Sequence, residues 1–265
     1  MTVITPIGGA LGAEIRGIDL RHLDDRSCAV ISQAIAEHLV VFLPDQALDD
    51  DTHLEVARRF GTPFLHPLAK VVGKSEARVE RIVDDADHPP MQDKWHTDVS
   101  FAVDPPRIGT LRAVDLPLRG GETLWGSTCA AYDALSPLMR ELIDGLVARH
   151  GIGAGDAFRS KAGEAATAAI ASLTAEHPVV ATHPVTGRKH LYVNRSFTRE
   201  IVGLHPAESD ALLEVLYRQI ENPNVQLRHR WSVGEIALWD ERATVHFAVA
   251  DHYPARREMA RVALG

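Results

Sequence analysis

Trp95-His96-Thr97-Asp98-Val99-Ser100-Phe101 places an imidazole and a carboxylate two residues apart. On an extended strand, residues i and i+2 project from the same face, so His96 and Asp98 could grip one cation from one side. Pro89-Pro90 and Pro105-Pro106 bound the segment and Trp95 and Phe101 flank the pair, which predicts a short extended stretch. The spacing alone is a weak signal in a chain with 14 histidines and 36 acidic residues. His22-Leu23-Asp24 repeats it just before a helical pattern, where Asp24 or Asp25 would serve as a helix cap. A mononuclear iron site with one histidine-carboxylate pair needs a second histidine from far downstream, and His246 is the candidate.

With 265 residues and 45% hydrophobic content, the chain can bury a full core, and one domain spanning 1–265 with an insertion is expected. The net charge of −8, without a run of Lys or Arg, argues against a nucleic-acid or anionic-membrane surface. An anionic ligand must then be caught by a few placed arginines. Cys28 and Cys129 are too few for a disulfide framework and form no metal-binding pair, so both are expected as core or near-core thiols. No apolar run approaches a membrane span, and the first twenty residues lack a basic start followed by a hydrophobic segment. A cytoplasmic location is the expectation.

Along the chain, Ile4 to Leu20 carries four glycines among short apolar pieces and reads as a hairpin. No Lys-Ser or Lys-Thr follows those glycines, which excludes a phosphate loop. Val30, Ile31, Ala34, Ile35 and Leu39 recur at helical spacing and lead into an apolar run, Leu39 to Leu43, that fits a buried strand. Asp49 to Thr52 offers caps for a second helix with Leu54, Ala57 and Phe60 inward, stopped at Gly61. His66, after that helix, is a possible substrate contact. Strands are expected at Arg78 to Val83 and Ile108 to Val114, and Gly120-Gly121 turns the chain into a strand where Thr123 can offer a hydroxyl to a carboxylate.

Ser136-Pro137 opens a helix whose buried face is expected to be Leu138, Leu142, Ile143 and Leu146. Residues 151–176 carry no strand signal and are expected as an insertion or lid, helical around Ala165 to Leu173. A hairpin follows, with strands at Val179 to His183 and Leu191 to Val193, and then a helix from Pro206 to Ile220. Val225, Leu227, His229 and Trp231 alternate as a strand, and Ile236 to Trp239 forms another. Many short strands with a few peripheral helices predict a mostly β protein, a double-sheet jelly roll.

Leu238-Trp239-Asp240-Glu241-Arg242-Ala243-Thr244-Val245-His246 ends one strand and enters the next, and Arg256, Arg257 and Arg261 lie beyond it. A guanidinium pairs a carboxylate through two parallel hydrogen bonds, so an arginine one strand beyond His246 suits the far end of a metal-chelating diacid. Arg257 and Arg261 are an even number apart and would both face inward on one strand, with Arg256 facing out.

Trp95-His96-Thr97-Asp98, Gly120-Gly121-Glu122-Thr123-Leu124-Trp125, Trp239-Asp240-x-Arg242-Ala243-Thr244-x-His246 and Arg257-x-x-x-Arg261 together resemble the taurine dioxygenase and phenoxyacetate dioxygenase family of Fe(II)/2-oxoglutarate enzymes. The resemblance runs along nearly the whole chain. It implies a double-stranded β-helix, a cupin-like jelly roll, with His96, Asp98 and His246 binding Fe(II). It also implies that Thr123 and Arg257 hold the far carboxylate of 2-oxoglutarate, that O2 is consumed, and that His66, Gln92 and Arg261 face the substrate. Taurine-cleaving members carry Tyr where this chain has Ala69 and Asn where it has Gln92. The smaller Ala69 widens the pocket toward a bulkier acid or a sulfate ester. Glu241 and Val245 replace a common Asn and Gln, and neither is a ligand.

The implied reaction is hydroxylation of a small anionic substrate, a sulfonate or alkyl sulfate, with release of sulfite or sulfate and an aldehyde. A phenoxy acid or amino acid is the alternative within the same chemistry, and an inactive barrel acting as a small-ligand binding module is the alternative from another class. A hydrolase finds no Gly-x-Ser-x-Gly elbow. The resemblance also favours a homo-oligomer, a dimer or tetramer.

Overall fold

The computed structural model describes residues 1–71, 73–91, 93–153 and 172–265. The glycine-rich opening forms the expected hairpin, β1 (Val3–Pro6) against β2 (Ala13–Arg16). Helix α1 (Asp25–His38) starts at Asp24, whose carboxylate accepts the Ser27 N–H, so the second His-x-Asp triplet is a capping sequence. Strand β3 (Val40–Leu43) follows directly, and then α2 (Asp50–Arg58), capped by Asp49. Leu54 and Phe60 are only half-buried, whereas His53 is fully buried on the inner face of α2, where its Nε2 meets the Thr110 hydroxyl at 2.8 Å.

Helix α3 (Pro67–Val71), β4 (Glu80–Asp84), β5 (Ile108–Asp115), β6 (Thr123–Ser127), α4 (Thr128–Asp133) and α5 (Pro137–Ile143) come next. Ser136 caps α5 as its sequence predicts, but the buried face differs from the expected one. Leu138 and Leu142 are 78% and 59% exposed, while Met139, Ile143 and Leu146 pack on the core. Met139 and Ile143 are four apart and so share the inward stripe of this two-turn helix; Leu138 and Leu142 form the neighbouring stripe, rotated toward solvent.

Residues 151–176 begin and end differently from expectation. Gly151 closes β7 (Val147–Gly151), Thr174 opens β8 (Thr174–Pro178), and the two residues pair directly in an antiparallel ladder. Residues 154–171, which hold most of the predicted insertion and its helix, lie outside the described residues. The remaining elements are β9 (Val180–Thr182), β10 (Lys189–Leu191), β11 (Thr198–Ile201), α6 (Pro206–Ile220), β12 (Gln226–His229), β13 (Ile236–Asp240), β14 (Thr244–Ala248) and β15 (Arg257–Leu264).

Seven strands form one sheet in the order β1-β2-β3-β13-β5-β15-β4, and β12-β6-β14 form a second. The apolar runs of β3 and β13 are explained by burial on both faces. Val41, Leu43, Ile236 and Leu238 pack with Ile31, Ala34 and Ile35 of α1, while Phe42, Ala237 and Trp239 turn the other way onto Trp125 of β6. The Trp125 and Trp239 rings meet at 5.8 Å between centroids and the Phe42 and Trp125 rings at 5.3 Å, so indoles fill the space between the sheets. On its outer side the smaller sheet contributes Val245 to a third cluster with Leu213, Leu216 and Ile220 of α6. The result is a sheet-rich protein with six α-helices outside the sheets among the described residues. None of those helices is long and apolar enough to cross a membrane.

Gly109 of β5 stands opposite Trp239 in the ladder, and the indole lies across it: a Cβ there would sit 2.2 Å from the ring and 2.7 Å from Glu241 Oε1. Gly109→Ala should therefore overpack the intersheet core and lower stability by about 1–3 kcal/mol, read as a lower urea midpoint at unchanged m-value.

Candidate active site

His246 lies on β14, and His96 is held beside it by an isolated antiparallel bridge. The His96 N–H donates to the His246 carbonyl at 3.0 Å and the His246 N–H to the His96 carbonyl at 2.7 Å. Thr97 fixes the register by donating its hydroxyl to the Thr244 carbonyl at 2.9 Å. Residue 96 is thus bridged like a strand residue, but the chain turns at once from Asp98 to Phe101. The predicted extended segment is therefore a bridge followed by a turn, and the two side chains converge through that turn. Val99 carries φ +53°, a costly conformation for a β-branched residue. Beneath it, Ser100 Oγ receives the Asn194 side-chain amide at 3.0 Å and lies 3.0 Å from His150 Nδ1, both partners buried. Such strain persists only where its surroundings over-determine it.

One ligand atom from each of His96, Asp98 and His246 lies within 4.8 Å of the others, and all three residues are buried. His96 Nε2 is 3.6 Å and His246 Nε2 3.9 Å from Asp98 Oδ1. His96 Nδ1 lies 2.7 Å from the Lys94 carbonyl, which can only accept, so that nitrogen carries the hydrogen and Nε2 presents a lone pair. Burial keeps both imidazoles neutral by holding their pKa values below the usual histidine range, with the neighbouring His96 adding to the effect at His246. Burial alone would raise the Asp98 carboxyl, yet the permanent charge of the Arg261 guanidinium beside it opposes burial and favours the ionised form, so its pKa falls to about 2. The His96 lone pair, the Asp98 carboxylate and the neutral His246 imidazole converge on one point. That donor set suits a divalent cation held on one face, which leaves the other coordination positions open.

Arg261 closes one side of the trio, donating through Nη1 to Asp98 at 2.8 and 3.0 Å and through Nη2 to Glu80 at 2.7 Å. Arg257, on the same face of β15, is buried, whereas Arg256 points out to Asp85 and Glu258. Arg257 Nε donates to the Gly121 carbonyl at 2.9 Å, and Nη2 lies 3.4 Å from Thr123 Oγ1, which also receives the Trp231 indole N–H at 3.0 Å. Gly121 has φ +72°, and a Cβ there would press on Arg257 Cδ at 2.9 Å, so the turn admits the guanidinium because no side chain occupies that space.

Two cavities meet at this centre. One, of about 400 Å³, runs past His96 and His246 to Thr123, Arg257 and Trp239. The other, of about 900 Å³, opens on the far side of His96 and Asp98 and is walled by His66, Ala69, Phe101 and Phe197. Arg261 lines both. His66 accepts the Leu68 N–H through Nδ1 at 3.1 Å, which leaves Nε2–H as its donor. Gln92 lies outside the described residues.

Glu241, set aside in the sequence as no ligand, is fully buried, and its Oε2 accepts the Asp98 N–H at 3.1 Å. Burial, followed by the charge of Asp98, pushes its carboxyl well above the ordinary range, and the hydrogen bond from the Asp98 N–H lets it brace the loop. Asp240 ties His183 and Arg242 together at the turn before β14. Only its position in the Trp-Asp motif hinted at that bracing role.

A profile of the family described as "Taurine catabolism dioxygenase TauD, TfdA family" matches residues 4–263. An alpha-ketoglutarate-dependent sulfate ester dioxygenase of Pseudomonas putida is 34% identical, over 98% of this chain and 88% of its own. An alkylsulfatase of Acinetobacter baylyi is 33% identical, over 97% and 82%. The crystal structure of a taurine dioxygenase from Burkholderia xenovorans superposes with a TM-score of 0.83 at 35% identity, covering 99% of this chain and 89% of that one. The chain belongs to the TauD/TfdA dioxygenase family.

Proposed function

We propose that this protein is an Fe(II)/2-oxoglutarate-dependent dioxygenase acting on an alkyl sulfate or a sulfonate larger than taurine. The observation that carries the reading is the buried trio of His96, Asp98 and His246 standing where two cavities meet, one ending on a buried arginine. On this reading the two facing sheets form the jelly roll, and the trio holds Fe(II). The far carboxylate of 2-oxoglutarate pairs with Arg257 and Thr123 in the smaller cavity. When bound, ferrous iron and the keto acid supply the oxidising chemistry, using O2 to convert 2-oxoglutarate to succinate and carbon dioxide while one oxygen atom enters a substrate C–H bond.

The chain's own residues do the positioning. The buried guanidinium of Arg257 gives the co-substrate one orientation, because its planar fork pairs a carboxylate through two parallel hydrogen bonds and no other arginine lies at that end of the cavity among the described residues. The larger cavity takes the substrate, with His66 Nε2–H and Arg261 as donors for its anionic head and Phe101, Phe197 and Ala69 against its carbon chain. A volume of about 900 Å³ far exceeds a two-carbon sulfonate, and the two relatives named for sulfate-ester cleavage support the larger substrate. Hydroxylation at the carbon bearing a sulfate ester gives a hemiacetal-like product that collapses to an aldehyde and sulfate, and the sulfonate equivalent releases sulfite.

Three outcomes test the assignment. One equivalent of Mn(II) should bind the wild type and His22→Ala alike, while His96→Ala and His246→Ala should lose it, read by electron paramagnetic resonance of free Mn(II). Equal binding by all four proteins would place the metal elsewhere. Arg257→Ala should weaken 2-oxoglutarate by about 2–5 kcal/mol, the cost of leaving a buried carboxylate unpaired. Succinate release should be faster with medium-chain alkyl sulfates than with taurine, and the reverse order would remove the substrate assignment.

A further inference from the structure

Behind Arg257 lie two buried ionisable groups that the reaction as described does not use. In the β4–β15 ladder Arg257 stands opposite Asp84. Arg257 Nη1 is 3.7 Å from Asp84 Oδ2, and His252 Nε2 approaches the same oxygen at 3.5 Å. Asp84, His252 and Arg257 are 7%, 6% and 2% exposed. His252 belongs to the loop between β14 and β15, and its Nδ1 lies 3.2 Å from the Val249 carbonyl. A carbonyl can only accept, so Nδ1 carries the hydrogen of the neutral ring and Nε2 is bare. That nitrogen is buried and has no hydrogen-bond partner among the described residues. A lone pair and a carboxylate oxygen therefore face each other, and one proton on Nε2 would turn the contact into a charge-assisted hydrogen bond.

Among the described residues, Asp84 on β4 and Arg257 on β15 are the charged groups that face His252. From the turn before β6 it meets Gly121, where an added Cβ would come within 3.3 Å of Nδ1. Its neighbour Asp251 is turned away, accepting from Gly121 N–H and Arg228. With the cavity empty of anion, Arg257 and Asp84 compensate each other, and a second buried cation would be in excess. A carboxylate arriving on Arg257 reverses the balance, leaving two anions against one guanidinium.

We propose that Asp84 and His252 couple co-substrate binding to proton uptake: as the far carboxylate of 2-oxoglutarate pairs with Arg257, His252 Nε2 takes a proton from solvent and donates it in a hydrogen bond to Asp84. This rests on the co-substrate site proposed above. One N–H bond forms and none breaks within the protein. Linkage makes the effect reciprocal, so co-substrate binding tightens as pH falls, by at most tenfold per pH unit.

The test is calorimetric titration of 2-oxoglutarate into Mn(II)-loaded, oxygen-free protein, in two buffers of different ionisation enthalpy at about pH 8. The wild type should take up a large fraction of a proton, approaching about one per co-substrate bound. His252→Gln keeps a side-chain donor for Asp84 but cannot titrate, so it should bind with near-zero uptake and a flattened pH dependence of Kd. Binding to the wild type without uptake, or uptake unchanged in His252→Gln, overturns the coupling alone. Absence of binding to the wild type overturns the co-substrate site and the coupling with it.

Discussion

The reciprocal backbone hydrogen bonds between His96 and His246 are the constraint on which the site depends. They join segments far apart in the chain and set two imidazoles 4.1 Å apart between ring centroids, leaving only the turn after Thr97 to bring in the carboxylate. A bridge of this kind is rigid because each residue both donates and accepts, and its partner strand β14 is already paired along its full length with β6. The smaller sheet thus serves as the platform for the centre. The larger sheet supplies the arginines from β15, so the smaller cavity lies where the two sheets face each other, and the larger one opens beyond His96 and Asp98 toward the segment before β4.

Holding this arrangement has a cost, and the surroundings show where it is offset. Val99 adopts a left-handed backbone next to a buried carboxylate, and Glu241 is buried beside that same group. Against this stand the hydrogen bonds of Ser100 with Asn194, of Thr97 with Thr244 and of Glu241 with the Asp98 N–H, together with the indole packing of Trp125 and Trp239 between the sheets. Buried polar groups of this density are tolerable only when nearly all are paired. The groups left without hydrogen-bond partners include His246 Nδ1 and His252 Nε2, close to where ligands would bind.

Much of this was legible from residue order. Apolar runs at Leu39 to Leu43 and Ile236 to Trp239 announced strands buried on both faces, the Asp24, Asp49 and Ser136 caps marked helix starts, and the even spacing of Arg257 and Arg261 placed both on one face of a strand. These are local signals, readable without knowing any pairing. What escaped depends on contacts between distant segments. Asp84 reaches Arg257 only through the β4–β15 register, and His252 joins them from a loop. Glu241 looked like a neutral replacement because its role is to accept from a backbone N–H, which no side-chain motif encodes. The flanking prolines favour an extended Asp98 to Phe101, and tertiary packing overrides them with a turn. The outward stripe of Leu138 and Leu142 is not legible in the sequence because a two-turn helix carries too few residues for periodicity to separate adjacent stripes.

The central claim is that three side chains from two segments present one ferrous ion with a vacant face on which a keto acid chelates. Its most direct test is the visible spectrum of the anaerobic protein with one equivalent of Fe(II), before and after 2-oxoglutarate. The account predicts a weak charge-transfer band that appears with the keto acid and is absent with succinate, which lacks the keto oxygen. A folded protein that binds both Fe(II) and 2-oxoglutarate yet shows no such band would contradict it.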